Sequence, residues 1–351
     1  MLTEILKIIA PGTPLREGLD NILKAKTGAL IVIGDTKDVM DIIDGGFKIN
    51  EDYTPSRLYE LAKMDGAIVL SKDAKKILLA NTQIIPSSKI STSETGTRHR
   101  TAERTAKQTG ELVISISQRR NIITVFKGDN RYIIEDTAKI LTRANQALQT
   151  LENYKRVFDT KLNILNEYEF NDIVTLDNVV TCIQRAEMVI RIAKEVQDAI
   201  YELGDDGVLV KMQLEELVDD LPDEELLIIK DYLASGKRTM PEKILQTIQT
   251  SSQDEFIKAE VIAKMLGYDQ FDNYEEVAVY PRGYRILNKI PRMPNTIVTN
   301  LVKTFKSFQH ILLADVDKLD EVEGIGEVRA RTIKQSLRRM QEQFVFDNLM
   351  I

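Results

Sequence analysis

Only one cysteine, Cys182, occurs in the 351 residues. No disulfide can form within the chain, and a reducing compartment, the cytoplasm, is the expected setting. The absence of a secretory signal pattern points the same way. No apolar run approaches the roughly 20 residues that a membrane helix needs, so no membrane partner is expected. Two histidines and one cysteine are too few for a structural zinc site. No Gly-x4-Gly-Lys-Ser/Thr pattern occurs, which excludes a P-loop ATPase. No acidic cluster suited to a two-metal nuclease lies near the strand ends.

What is present is ordinary for a folded protein: 43% hydrophobic and 29% charged residues, enough for two or three domains with real cores. The net charge of −7 hides an asymmetry. Residues 201–280 carry 19 Asp and Glu against 7 Lys and Arg, whereas residues 282–351 carry 12 Lys and Arg against 8 Asp and Glu. Opposed charges suggest that the two stretches meet different partners.

Three segments follow from the patterning. Residues 1–136 alternate strands and helices. Ala29–Ile33 and Ala67–Leu70 are short apolar runs buried on both faces. Leu112–Ile116 and Ile122–Phe126 are richer in β-branched residues. Gly128-Asp129-Asn130 turns the chain back toward Tyr132–Ile134. Helices fall near Pro14–Lys24, Ser56–Lys63 and Thr101–Gln108. The expected fold is one α/β domain with a mixed central sheet. Residues 137–280 read as all helical. Leu176, Val179, Ile183, Ala186, Ile190, Ala193, Val196, Ile200 and Leu203 keep three- and four-residue steps up to Gly204, and Cys182 falls among them as a small core residue. Residues 281–351 are also helical.

The densest chemistry lies in Gly96-Thr97-Arg98-His99-Arg100-Thr101-Ala102-Glu103-Arg104. A glycine, hydroxyls and cations at a helix start form a phosphate site, because the first N–H groups lack intrahelical acceptors and the helix dipole favours anions. Two guanidiniums add permanently charged, bidentate donors. Repulsion between them and His99 should lower the imidazole pKa. His310, beside Ile311 and Leu312, reads as structural. Asp65-Gly66-Ala67 stands at the mouth of a buried strand, where a carboxylate can hold a divalent cation and favour loss of a hydroxyl proton. A turn that merely opens a strand would also accept an aspartate there.

Near the C-terminus, Gly324-Ile325-Gly326 joins two short helices in a helix-hairpin-helix pattern. The glycines let backbone approach a phosphate, and Ile325 would pin the hairpin to the core. Arg329, Arg331, Lys334, Arg338 and Arg339 follow. Gly324, Ile325, Gly326, Arg329, Arg331 and Lys334 are the candidate DNA-binding residues. Such a module grips phosphates, so its binding should be sequence-independent and salt-sensitive. The pattern alone also fits a protein-binding helical domain.

Asp65-Gly66-Ala67 followed by Gly96-Thr97-Arg98-His99-Arg100-Thr101 resembles the diadenylate cyclase family. The helical middle and the C-terminal hairpin resemble one branch of it over the whole chain. The resemblance implies condensation of two ATP molecules to cyclic di-AMP with release of two pyrophosphates, dependent on Mg²⁺ or Mn²⁺. It implies catalytic roles for Asp65, Arg98 and His99, with Asp65 near the ribose 3′-hydroxyl and the metal. Gly66 and Ala67 would lie against the nucleotide, Ile84 against adenine, and Thr97, Arg98, His99, Arg100 and Thr101 around the phosphates, with Ser117 also touching the nucleotide. It further implies a cytoplasmic, nucleoid-associated homo-octamer in which branched or junction DNA lowers cyclase output. The segments become a cyclase domain (1–136), a helical linker (137–280) and a helix-hairpin-helix DNA-binding domain (281–351). Two other functions suit the same motifs: a DNA-repair nuclease or ligase-like enzyme gripping its substrate through the hairpin, and a non-catalytic DNA-binding scaffold that senses ATP.

Overall fold

The apolar runs of the first segment become the middle of an eight-stranded mixed sheet. Its strands are β1 (Ala29–Ile33), β2 (Ile43–Asp44), β3 (Phe47–Asp52), β4 (Ala67–Leu70), β5 (Lys76–Ile84), β6 (Leu112–Ser117), β7 (Ile122–Lys127) and β8 (Asn130–Ile134). The order is β2-β5-β4-β1-β6-β7-β8, with β3 also paired to β5. β1 and β4 run parallel and the other pairs run antiparallel. The computed structural model describes residues 5, 8–218, 221–236, 239–252, 258–269 and 273–348.

Strand alternation sends successive side chains to opposite faces, and both faces are covered. Ile31, Ile33, Ile68, Leu70, Ile114 and Ile116 pack against Leu15, Leu19 and Ile22 of α1 (Pro14–Lys24), with Leu58 of a later helix. On the other face Leu30, Val32, Ala67, Val69 and Val113 pack against Phe126, Ala102 and Ala106. A short helix, α2 (Lys37–Met40), follows β1, and α3 (Pro55–Leu61) carries Leu58. The two alanines belong to α4 (Thr97–Thr109). Each buried aliphatic side chain contributes about 1.5–3 kcal/mol. Thr13 caps α1 by accepting from the Arg16 N–H at 3.2 Å, and Pro14 supplies the first helical residue.

The chain divides into two units: Met1–Asn145 with Gln197–Lys211, and Gln146–Val196 with Met212–Ile351. Two long helices, α5 (Thr137–Asn171) and α6 (Leu176–Leu203), contribute to both, and α7 (Val208–Val218) follows a short 3-10 turn. The second unit continues with α8 (Leu221–Tyr232), α9 (Pro241–Thr250), α10 (Ala259–Leu266), α11 (Tyr284–Asn288), α12 (Asn295–Phe305), α13 (Phe308–Leu313), α14 (Val316–Asp320) and α15 (Glu327–Asn348). One of its cores joins Val179, Cys182 and Ile183 to Ile228, Tyr232, Ile244 and Ile248. Cys182 is fully enclosed there, and burial pushes its thiol up to about 12, which agrees with a core role. The α/β first part with helical remainder is the architecture read from the sequence.

A buried polar joint ties the middle of the second unit to its C-terminal helices. Arg285 is fully enclosed and donates to Glu169, to Asn166 at 2.5 Å and to Glu224 at 3.1 Å. Tyr232 donates its hydroxyl proton to the other Glu169 oxygen at 2.6 Å. The Asp231 carboxylate accepts the N–H groups of Gly283, Tyr284 and Arg285 at 2.7, 2.7 and 2.9 Å, capping α11. Removing one partner of such a buried pair costs about 3–5 kcal/mol.

Candidate functional site

Gly96 occupies the N-cap of α4, where no side chain caps the helix and no acidic residue stands in the first turn. The helix begins four residues earlier than the sequence pattern indicates. Thr97, Arg98, His99 and Arg100 therefore form its first turn, and the N–H groups of Thr97, Arg98 and His99 lack intrahelical acceptors. This turn opens on a cleft of about 1150 Å³. Leu30, Ala67, Ile84 and Ile116 give the cleft an apolar wall, whereas Lys26, Arg98, Arg119 and Arg120 bring four cations to it. Gly66, Thr97, His99, Thr101 and Ser117 also line it, as does a single carboxylate, Glu94. A surface that is apolar at one part and densely cationic at another suits a nucleotide with its phosphates.

The loop leading into α4 is fixed from several sides. Glu103 accepts from the Thr92 hydroxyl at 2.5 Å, the Ser93 N–H at 3.1 Å and Lys107 at 2.8 Å. Burial pushes the Glu103 carboxyl up, but the hydrogen bonds from Lys107 and Thr92 outweigh it and hold it below its usual range. Arg104 donates to the Ile90 carbonyl at 2.9 Å. Arg131 donates to Glu94 at 2.6 Å and Arg120 to the Thr95 hydroxyl at 3.4 Å. The first turn of α4 is thus held in place by the protein's own contacts.

Two glycines shape the cleft by what they lack. A Cβ on Gly28 would stand 2.0 Å from Arg98 Nη1 and 3.1 Å from the Ile116 carbonyl oxygen, so the guanidinium runs through the space a side chain would fill. Gly66 has φ +90°, and a Cβ there would lie 2.8 Å from the backbone of Asn81 and Thr82. Only glycine fits that turn. The Thr82 hydroxyl donates to the Ala67 carbonyl at 3.1 Å and locks the same corner.

His99 is buried, with its Nδ1 3.1 Å from the Ser115 hydroxyl and its ring edge-on to Phe126 at 6.4 Å. Nε2 has no hydrogen-bond partner among the described residues. The pKa is lowered, as the sequence suggests, but burial is the largest cause. Glu94 opposes it, and Arg120, Arg131 and Arg98 add to it. The ring is therefore neutral at pH 7.

Asp65 and Arg100, both exposed, do not line this cleft, although their neighbours Gly66 and Thr101 do. Asp65, next to the cleft-lining Gly66, has no hydrogen-bond or ion-pair partner among the described residues. Residues 63–66 also spell Lys-x-Asp-Gly, the pattern of a ligase nucleophile. Lys63 lies outside the cleft, bonds to Glu60 at 2.7 Å and covers the Tyr59 ring at 4.5 Å. The Glu60 contact raises its pKa, the reverse of what a nucleophilic amine needs. Sequence reasoning missed Gly28, Lys26, Glu94, Arg119, Arg120 and Arg131; Glu94 lies just before the motif, and the others are distant in the chain and join it only when the strands of the sheet assemble.

The C-terminal hairpin lies between α14 and α15. Gly324 has φ +85°, and its Cβ would press on Ile297 at 2.7 Å, whereas Gly326 faces open space. Ile325 is buried, so only its backbone can meet a ligand. Arg329 and Arg331 are exposed, reaching the Gly324 carbonyl and Glu327 respectively. Lys334 is committed within the chain: its ammonium donates to the Leu312 and Ala314 carbonyls at 2.8 and 2.7 Å. An equivalent hairpin precedes it. At a constant offset, Leu287, Ile290, Met293, Val298 and Leu301 match Leu319, Val322, Ile325, Ala330 and Ile333. The hydrogen bonds Ile290 to Leu287, Met293 to Ile290 and Val298 to Pro294 repeat as Val322 to Leu319, Ile325 to Val322 and Ala330 to Gly326. Arg292, with φ +60°, stands where Gly324 stands in the second copy.

Comparison with known proteins matches residues 16–131 to the model described as DisA bacterial checkpoint controller nucleotide-binding, and residues 134–274 to the DisA bacterial checkpoint controller linker region. The DNA integrity scanning protein DisA of Clostridium botulinum (strain Loch Maree) is 53% identical over 99% of this chain and 98% of its own. Those of Carboxydothermus hydrogenoformans and Acetivibrio thermocellus are each 54% identical, covering 96% and 99% of this chain and 96% of their own length in both cases. The chain belongs to the DisA family.

The cleft lies within the nucleotide-binding match of the DisA family, whereas both hairpins lie beyond the linker match. No described helix is long and apolar enough to cross a membrane. Among the described residues, no group of three or more His, Cys, Asp or Glu could hold a metal ion by itself. A lone, unpartnered carboxylate such as Asp65 fits a Mg²⁺-type ion that takes its other ligands from substrate phosphates and water. It does not fit a protein-enclosed metal.

Proposed function

We propose that the protein is a diadenylate cyclase that joins two ATP molecules into cyclic di-AMP, and that its C-terminal hairpin binds branched DNA. The observation that carries the first part is one cleft in which the uncapped, cationic start of α4 faces an apolar wall. The phosphates lie at Thr97, Arg98, His99, Thr101 and Ser117, with Arg100 approaching from the rim. Gly66 and Ala67 lie along the nucleotide, and adenine packs on Ile84. Asp65 would hold Mg²⁺ or Mn²⁺, which when bound would offset phosphate charge and favour loss of the hydroxyl proton.

Each ribose 3′-oxygen attacks the α-phosphorus of the other ATP. The bond to the β-phosphate oxygen breaks, pyrophosphate leaves, and the hydroxyl proton passes toward Asp65. Two such displacements close the ring. The placement of Asp65 outside its own cleft supports a twofold arrangement, in which it serves the nucleotide held by a facing domain. One domain alone is then inactive. Positioning and charge neutralisation provide most of the acceleration. A homo-octamer in the cytoplasm, associated with the nucleoid, fits this pairing.

The name of the relatives, DNA integrity scanning protein, accords with a DNA-sensing end. The backbone at Gly324–Gly326 and the side chains of Arg329 and Arg331 take the phosphates, independent of sequence and weakening with salt. Junction binding lowers cyclase output by shifting how facing domains align. The test is incubation with ATP and Mn²⁺, identification of the product by mass, and repetition with a four-way junction. Cyclic di-AMP suppressed by the junction is expected. A linear dinucleotide, ADP or no product refutes the cyclase; equal rates at saturating junction refute the coupling.

A further inference from the structure

Ser115 is out of place in its strand. β6 reads Leu112-Val113-Ile114-Ser115-Ile116-Ser117 and is buried along most of its length. Alternate residues Val113, Ser115 and Ser117 share the face toward α4, running from the core to the cleft. Ser117 lines the cleft, but Ser115 is fully enclosed behind it. Alanine or valine would fill that position without a polar atom. A buried hydroxyl costs free energy unless it is hydrogen-bonded, and the partner of the Ser115 hydroxyl is His99 Nδ1 at 3.1 Å. Its cross-strand neighbour, Thr124, has a buried hydroxyl with no partner among the described residues. The serine's hydroxyl, unlike that of Thr124, is accounted for by the histidine. Nδ1 is thereby occupied, and Nε2, buried and without a partner among the described residues, is the ring's remaining polar atom.

We propose that Ser115 is a positioning residue of the nucleotide site: its enclosed hydroxyl holds the His99 ring in one orientation and one tautomer, so that Nε2 meets the phosphates in a single form. This rests on the cleft being the nucleotide site. Among the described residues the enclosed Ser115 hydroxyl has no acceptor other than Nδ1. Accepting from Nδ1–H would leave its own proton buried and unpaired, so it donates to a bare Nδ1 and the ring proton sits on Nε2, free to donate to a phosphate oxygen. Phe126, edge-on, limits ring tilt but cannot make that selection.

Histidine labelling with ¹⁵N tests this directly, because the chain has two histidines. His310 serves as the internal reference: its Nδ1 lies 3.1 Å from the Phe305 carbonyl, which can only accept, so that nitrogen carries the proton. Magic-angle-spinning spectra of the full-length protein, with His310→Gln to assign signals, should show His99 as one tautomer with one protonated and one bare nitrogen. Ser115→Ala should give mixed or averaged signals, and Ser115→Thr should restore the single form. In ATP turnover, Ser115→Ala should lower kcat/KM about tenfold, the loss expected of one hydrogen bond, with Thr recovering most of it. Unchanged His99 signals in Ser115→Ala overturn the proposal, as does a wild-type ring that already samples both tautomers. The spectra do not depend on catalysis. A protein that shows the tautomer change but makes no cyclic product would sink the cyclase reading and leave the positioning role standing.

Discussion

Gly28→Ala isolates the contribution of Arg98 without touching it. The added methyl would stand 2.0 Å from Nη1 and 2.9 Å from Cζ of Arg98, and only 3.1 Å from the Ile116 carbonyl oxygen. The backbone can absorb the last contact with a small shift, but the guanidinium must leave its channel. A charge-assisted hydrogen bond to phosphate is worth about 1.5–3 kcal/mol, or roughly 10–150-fold in kcat/KM. Arg98→Ala sets the upper limit. Gly28→Ala should fall between wild type and that limit, because the long side chain can partly find its way back. The melting temperature should move by about a few degrees at most, since no buried contact is lost. In a double-mutant cycle, Gly28→Ala should cost nothing further once Arg98 is alanine. Initial rates of product formation against ATP concentration, with thermal melts in parallel, give all of these values. Wild-type kinetics in Gly28→Ala, or a full additional loss in the Arg98→Ala background, would refute the idea that the glycine acts by making room for the guanidinium.

The two hairpin glycines should separate folding from binding. Gly324→Ala, strained at φ +85° and crowded by Ile297, should lower stability by about 1–3 kcal/mol, whereas Gly326→Ala should melt like wild type and bind a four-way junction more weakly. Equal melting of both variants contradicts this. Glu225 is fully buried with neither carboxylate oxygen bonded to a described residue, and burial, then Glu187, push its pKa well above the usual range. The folded chain keeps a proton that the unfolded chain gives up above about pH 4.3. Stability from this group therefore falls as pH rises from there toward the raised pKa, by about 1.4 kcal/mol per unit. Glu225→Gln should raise the melting temperature more at pH 8 than at pH 5; a larger gain at pH 5 contradicts the assignment. Cys182, enclosed and with its thiol pushed up to about 12, should resist thiol reagents until the chain unfolds. Labelling at the rate of an exposed cysteine in the folded protein counts against its core position.

Much of the fold was legible because burial writes itself into the sequence. β1 and β4 are continuous apolar runs, and α6 keeps its three- and four-residue steps over its whole length. β3 was not legible: Phe47–Asp52 is mostly exposed, so no alternation marks it. The start of α4 was misjudged because Gly96 carries no capping side chain. At the cleft, Thr97 to Thr101 stood out because chemistry and chain position coincide in one turn. Gly28 and Arg131 did not, since their roles come from strands that meet only after folding. Lys334 shows the opposite error: a lysine in a basic stretch that spends its charge on carbonyls of its own chain.

A structure with 3′-deoxy-ATP, which can bind but cannot attack, tests the central claim most directly. The expected result is a triphosphate over the first turn of α4, adenine against Ile84, and C3′ directed at the Asp65 of a facing domain. A nucleotide bound elsewhere, or a cleft with no second domain opposite it, contradicts the account.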